Sequence, residues 1–136
     1  FGSMYGLSKL DFKNFWIWHN IFILRGEVAY MDYKTIDSAT LKSWLEKDEA
    51  VLIDVREEGE YDEVNIPAST LVPLGKISIR ALPSFDKKIV IHCLKGGRGQ
   101  KACEALCAQS RELDLYNLAG GIEAWIDAGL PVHRNT

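Results

Sequence analysis

The sequence predicts an α/β fold whose sheet has four or five strands, mostly parallel, with helices on both faces. From about Tyr33 onward, short β-type runs alternate with helical patterns, which is the order that builds parallel sheets. Two of the runs, AVLIDV at 50–55 and KKIVIHC at 87–93, are largely apolar, as expected of strands buried on both faces. A chain of 136 residues that is 47% hydrophobic is long enough to bury one ordinary core.

The first half of the predicted domain follows from local patterns. Residues 33–37 form a first strand, and Ser38 or Thr40 is the expected cap of a helix through Lys47 with its apolar residues on one face. The run at 50–55 is a central strand, and the acidic stretch 57–64 predicts a short, solvated helix. Residues 69–74 predict a strand that ends at Pro73.

The second half continues the same alternation. A short helix is predicted over 76–82, the second central strand over 87–93 and a longer helix over 99–113. Residues 115–121 and 122–130 predict a closing strand, turn and helix. In that last helix Ile122, Trp125 and Ile126 recur at helical spacing, so we expect them to form a core stripe rather than a cofactor platform.

Residues 1–30 are predicted to be an N-terminal extension, and residues 31–136 the α/β domain. Residues 1–3 are interpreted as a cloning remnant before a start methionine. The apolar, aromatic segment 12–24 is interrupted by a lysine, a histidine and two asparagines, and it is too short to span a membrane. A docking or homodimerising segment is the favoured interpretation; a surface membrane anchor and a signal peptide are the alternatives.

Charge and cysteine usage narrow the function class. The net charge is −3 with both signs interspersed, so nothing predicts nucleic-acid binding. Cys93, Cys103 and Cys107 make an odd count and no disulfide framework, which favours a reducing, cytoplasmic setting. Cys103 and Cys107 are expected to be packing residues of a helix. The histidines are scattered, so the sequence predicts no metal site and no cofactor.

Cys93 is the strongest candidate for a functional residue. It ends the second central strand, and ligands of parallel sheets bind beyond the carboxyl ends of the strands. The glycines at 96, 97 and 99 let the next loop curl, so that backbone N–H groups and the start of a helix point at one anion. With Lys95 and Arg98 beside it, the Cys93 thiolate is the expected occupant and nucleophile.

Three motifs carry a resemblance to a family. CLKGGRG from Cys93 resembles the active-site loop of the rhodanese family, the sulfurtransferases, whose pattern is Cys, two residues, Gly, one residue, Arg and then Ser or Thr. LIDVREEGEYDEVNIPAS at 52–69 and LAGGIEAWIDAGLPV at 118–132 resemble its upstream and closing motifs, so the resemblance covers about 34–133. Two departures stand out: VNIPAS from Val64 replaces the usual Gly-His-Ile-Pro-Gly-Ala, without its histidine, and Gly99 replaces Ser or Thr.

The resemblance implies a single rhodanese-like domain of the thiosulfate sulfurtransferase type. Cys93 would take a sulfane sulfur from thiosulfate or a similar anionic donor, become a persulfide, and pass the sulfur to a thiophilic acceptor. Cyanide, a small thiol, and thioredoxin or another sulfur-accepting protein are the implied acceptors. The implied substrate- and persulfide-binding loop consists of Leu94, Lys95, Gly96, Gly97, Arg98 and Gly99.

Within this loop the amides would stabilise the sulfur charge, and Lys95 and Arg98 would hold the oxyanion of the donor. Asp54 and Arg56 resemble the family's structural pair, which either ties a strand end to the active loop or forms a plain supporting salt bridge.

Other functions fit the residues less well. Cysteine phosphatases leave five residues between Cys and Arg, whereas four stand between Cys93 and Arg98. An acyl transferase needs a base beside the thiol, and His92 is not expected to serve because neighbouring side chains of a strand point to opposite faces. The alternative that stays open is a non-enzymatic rhodanese-like module for binding or sulfur relay.

Overall fold

The computed structural model describes residues 17–18, 21–24, 27–30, 33–84, 86–110 and 112–135. The chain divides into two compact units, Phe1–Asp32 and Tyr33–Thr136. In the first unit, three short strands, β1 (Ile17–Trp18), β2 (Ile21–Leu24) and β3 (Glu27–Tyr30), pair in sequence as an antiparallel sheet. Much of the segment 12–24 lies outside the described residues, and its docking or dimerising role stays a prediction.

The second unit contains a five-stranded parallel sheet, which confirms the predicted fold class. The strands of the second unit are β4 (Tyr33–Ile36), β5 (Ala50–Asp54), β6 (Val64–Asn65), β7 (Ser69–Leu71), β8 (Lys88–His92), β9 (Leu115–Leu118) and β10 (His133–Arg134). The sheet order is β4-β9-β8-β5-β7, while β6 and β10 form a separate antiparallel pair. Asp54 is in register with His92, so the carboxyl ends of the two central strands lie level.

Four helices accompany these strands: α1 (Ser38–Glu46), α2 (Glu58–Glu63), α3 (Gly97–Gln109) and α4 (Gly121–Asp127). The cap of α1 is Asp37, not Ser38 or Thr40 as predicted, because the Asp37 carboxylate accepts a hydrogen bond from the Thr40 amide at 2.8 Å. None of the helices in the described part of the chain is long and apolar enough to cross a bilayer.

Two predicted helices differ from the observed ones. The helix expected over 76–82 is replaced by two 3₁₀ turns, Leu74–Lys76 and Ile79–Ala81. Between them Ser78 is extended, and the side chains of Ile77 and Ile79 both pack against the core, an alternation that suits extended chain. The helix expected over 99–113 starts at Gly97 and ends at Gln109, because Gly96 (φ +121°) starts it and Ser110 turns to an extended conformation.

The sheet separates two apolar layers. Ile89, Ile91 and Cys93 face the layer that contains Ala102, Cys103 and Leu106 of α3. Val90 faces the opposite layer, which contains the following residues of β5, α1, β9 and α4: Leu52, Leu41, Leu118, Ile122 and Trp125. Both predicted packing roles are seen: Cys103 and Cys107 are buried in the first layer, and Trp125 is buried in the second. The alternation along β8 therefore delivers the Cys93 side chain to the start of α3.

Candidate active site

The Cys93 sulfur is held by two backbone amides. Cys93 follows β8 directly and is 1% exposed, and its Sγ accepts hydrogen bonds from the Gly96 amide at 3.0 Å and the Gly99 amide at 3.2 Å. Gly96 precedes α3 and Gly99 is the third residue of that 13-residue helix. The sulfur thus lies at the positive end of a helix dipole, an arrangement that stabilises an anion.

The two cations of the loop differ in their surroundings. Lys95 is exposed and forms no ion pair with any residue that the structure describes. Arg98 donates hydrogen bonds to Glu60 of α2 from its two terminal guanidinium nitrogens, Nη1 to Oε1 at 2.7 Å and Nη2 to Oε2 at 2.9 Å. The hydrogen bond from Arg98 lowers the pKa of Glu60 to about 2, and Glu60 raises the pKa of Arg98. At neutral pH the loop arginine therefore already holds a carboxylate.

Sequence reasoning missed Glu60. It treated 57–64 as a solvated acidic helix, and 38 positions separate Glu60 from Arg98, so no local spacing links them. The parallel order of β5 and β8 makes them neighbours, because the segments after adjacent parallel strands emerge at the same edge of the sheet.

Asp54 and Arg56 form a buried ion pair at the end of β5. Arg56 Nη2 donates to Asp54 Oδ2 at 2.7 Å and also to the Val64 carbonyl at 2.7 Å, and the Arg56 amide donates to Asp54 Oδ1. The carboxylate also lies 3.5 Å from Nε2 of His92. The pair thus joins β5 to β6 and to the residue before Cys93, while its supporting role in catalysis stays a prediction.

His92 is fully buried on the sheet face opposite Cys93. Burial lowers its pKa, so the imidazole is neutral at pH 7. Its Nδ1 lies 3.4 Å from the Cys93 carbonyl oxygen. These contacts are those of a packing histidine.

The closing motif holds the first residues of the loop. At the start of α4, the amides of Ile122 and Glu123 donate to the carbonyls of Cys93 and Leu94 at 2.8 and 3.1 Å. Gly121 (φ +59°) makes this approach possible, since a Cβ there would overlap the Cys93 and Leu94 carbonyl groups. The closing motif therefore contacts the backbone of Cys93 and Leu94 directly.

The departures from the family's upstream motif have structural counterparts. Asn65 stands where the family has histidine, and its Nδ2 donates to the Tyr61 carbonyl of α2 at 2.9 Å. Ala68 follows Pro67 in a turn closed by the hydrogen bond from the Ser69 amide to the Ile66 carbonyl, and it takes the left-handed conformation (φ +74°) for which glycine is suited. The position of the missing histidine thus serves to hold the end of α2.

A cavity of about 540 Å³ opens at the carboxyl edge of the sheet, the edge that also carries Cys93. Its walls are the start of α2 and the segment after β7, and it is lined by Glu57, Glu58, Leu71, Val72, Pro73, Lys76 and Ala81. The edge of the sheet that is predicted to bind ligands therefore has an open cavity next to β7.

Comparisons with known proteins agree with this geometry. Residues 37–128 match the model of the rhodanese-like domain family. A protein named sulfurtransferase from Allochromatium vinosum is 37% identical over 100 residues, covering 71% of this chain and 92% of its own. The thiosulfate sulfurtransferase GlpE of Pseudoalteromonas translucida is 32% identical, over 70% of this chain and 90% of its own. A rhodanese-related crystal structure from Thermoplasma volcanium is 29% identical with a TM-score of 0.64, covering 74% and 98% of the two chains.

Proposed function

This chain belongs to the rhodanese-like domain family, and from that premise we propose that it is a sulfurtransferase that carries sulfur as a persulfide on Cys93. The observation that carries the proposal is the pair of amides, from Gly96 and Gly99, that donate to Sγ at the start of α3. Hydrogen bonds to Sγ of this kind stabilise the thiolate, the form in which a cysteine acts as a nucleophile.

The proposed reaction has two steps. The Cys93 thiolate attacks the sulfane sulfur of thiosulfate, a new S–S bond forms at Sγ, and the S–S bond of thiosulfate breaks so that sulfite leaves with the bonding electron pair. The acceptor then attacks the outer sulfur of the persulfide, and the Cys93 thiolate leaves in turn. With cyanide the product is thiocyanate. No outside oxidant or reductant is needed, and such two-step covalent transfer gives ping-pong kinetics.

The cations of the loop support an anionic donor. Lys95 is an exposed residue of the loop. Arg98 binds the Glu60 carboxylate through two hydrogen bonds, and the same pair of N–H groups suits the oxyanion of a sulfur donor. We propose that the sulfonate end of thiosulfate exchanges with Glu60 on Arg98 while Lys95 attracts the donor. Small thiols, cyanide and a sulfur-accepting protein such as thioredoxin remain the proposed acceptors.

The test is the intact mass of the reduced protein after brief incubation with thiosulfate. The wild type should gain one sulfur atom, cyanide should remove it, and Cys93→Ser should gain none. Cys107→Ser is the matched control, since it removes another buried thiol and should gain sulfur as the wild type does. A gain from mercaptopyruvate but not thiosulfate would contradict the proposed donor. No gain from either donor would refute the proposed enzyme and favour the rhodanese-like binding module.

A further inference from the structure

Asn117 is a buried polar residue beside the thiol loop. It lies on β9 in register with Ile91 of β8 and is 8% exposed. The sequence placed it in a closing strand and indicated no chemistry for it.

The Asn117 side chain contacts both residues whose amides hold the Cys93 sulfur. Its Nδ2 donates to the Gly96 carbonyl at 3.2 Å. Its Oδ1 occupies the space where a Cβ of residue 99 would lie, so any larger residue at Gly99 would overlap it. One carboxamide therefore contacts the loop at both Gly96 and Gly99.

The placement leaves one atom of this side chain in an unfavourable position. Asn117 Oδ1 is buried and accepts no hydrogen bond from any residue that the structure describes, and a buried acceptor without a partner is unfavourable. An apolar residue would avoid that cost, so the core alone does not account for an asparagine here.

We propose that Asn117 is a positioning residue for Cys93: it holds Gly96 and fills the space at Gly99 so that both amides aim at Sγ. Its consequence for sulfur transfer rests on the function proposed above. A Ser or Thr side chain at position 99, as in the family pattern, would enter the space that Asn117 Oδ1 occupies.

The experiment measures iodoacetamide alkylation at the Cys93 peptide against pH, for the wild type, Asn117→Ala and the matched control Asn65→Ala. Asn65 is equally buried and also donates one hydrogen bond to a backbone carbonyl, but in α2. We expect Asn117→Ala to react about fivefold more slowly at neutral pH, with its rate midpoint at higher pH, since one loop hydrogen bond is lost. Asn65→Ala should keep the wild-type profile. Equal profiles for wild type and Asn117→Ala would overturn the proposal.

If Asn117→Ala folds poorly, Gly99→Ser tests the proposal alone because it leaves Asn117 in place, and an unchanged alkylation rate in Gly99→Ser would then overturn the proposal; if Asn117→Ala folds, the double variant adds a second test. Gly99→Ser alone should slow alkylation because its side chain overlaps Asn117 Oδ1, and Gly99→Ser in the Asn117→Ala background should recover most of the rate. Independent, multiplying effects would contradict the shared space. Alkylation does not require sulfur transfer, so a failure of thiosulfate to load the wild type would refute the proposed function without affecting this result.

Discussion

Replacing Glu60 by glutamine should strengthen the binding of an anionic donor. Glu60 and the donor compete for the same fork on Arg98 in our proposal. Glutamine keeps an oxygen that can still accept the hydrogen bond from the Glu57 amide, which Glu60 Oε1 accepts at 3.0 Å. The substitution therefore removes the charge that occupies Arg98 while leaving the start of α2 capped.

The size of the effect follows from the ion pair. A fall in the pKa of Glu60 from 4.5 to about 2 corresponds to about 3 kcal/mol without screening. Both side chains are 33% exposed, and measured pairs at such positions contribute about 1 kcal/mol or less. We therefore expect Glu60→Gln to lower the free energy of unfolding by about 1 kcal/mol and the KM for thiosulfate by about fivefold.

The assay is steady-state thiocyanate formation at saturating cyanide, with urea unfolding measured in parallel. Glu63→Gln is the matched control because it removes one negative charge from the same helix and Glu63 is exposed. Its KM should stay near the wild-type value. An unchanged KM in Glu60→Gln would refute the competition, and an increased KM would mean that Glu60 holds Arg98 in its working position.

Three further predictions concern the scaffold around the site. Gly121→Ala should lower the free energy of unfolding by about 3 kcal/mol or more, because its Cβ would overlap the Cys93 and Leu94 carbonyls. Gly129→Ala, at a similar positive φ but in open space, should lower it by only about 1 kcal/mol. Equal losses in urea titrations would contradict the overlap. Ala68→Gly should raise Tm by about 4 °C because it relieves a left-handed alanine, and an unchanged or lower Tm in a calorimeter would argue against that strain. Burial lowers the pKa of His92 below 6.5 in the folded state, so the unfolded chain binds more protons as the pH falls. The free energy of unfolding should therefore decrease below about pH 6.5, by up to about 1.4 kcal/mol per pH unit. His92→Gln should remove this part of the pH dependence, and an identical slope in both proteins would contradict the prediction.

The parts of the fold that local patterns specify were predictable. Apolar runs at 50–55 and 87–93 indicated the central strands, since a strand buried on both faces needs no polar alternation. The segment 76–82 was mispredicted because its conformation depends on the core that Ile77 and Ile79 contact, and tertiary packing overrides the weak preference of a short segment. The predicted ends of α3 were wrong for a similar reason. Gly96 starts the helix through a positive φ, which the periodicity of the sequence does not reveal.

The candidate site likewise contains some residues that local patterns predict and others that only the fold brings together. Cys93 and its loop could be predicted as the candidate site because their residues are consecutive in the sequence. Glu60 and Asn117 could not, since each meets the loop from another strand or helix, and only the strand order brings them there. A single sequence therefore indicates a candidate residue within a local motif more readily than the distant residues that contact it.

The distribution of donors around Cys93 also bears on the second step of the proposed reaction. Among the described hydrogen bonds, those to Sγ come from Gly96 and Gly99, which serve the free thiolate. Persulfide formation moves the negative charge one S–S bond outward, and donors for it must lie nearer the loop's mouth. Two hydrogen bonds fix the loop from outside: the Glu123 amide donates to the Leu94 carbonyl, and Asn117 Nδ2 donates to the Gly96 carbonyl. Preorganised donors favour the charged state without the cost of rearrangement, and we propose that other amides between Leu94 and Gly99 would hold the outer sulfur of the persulfide.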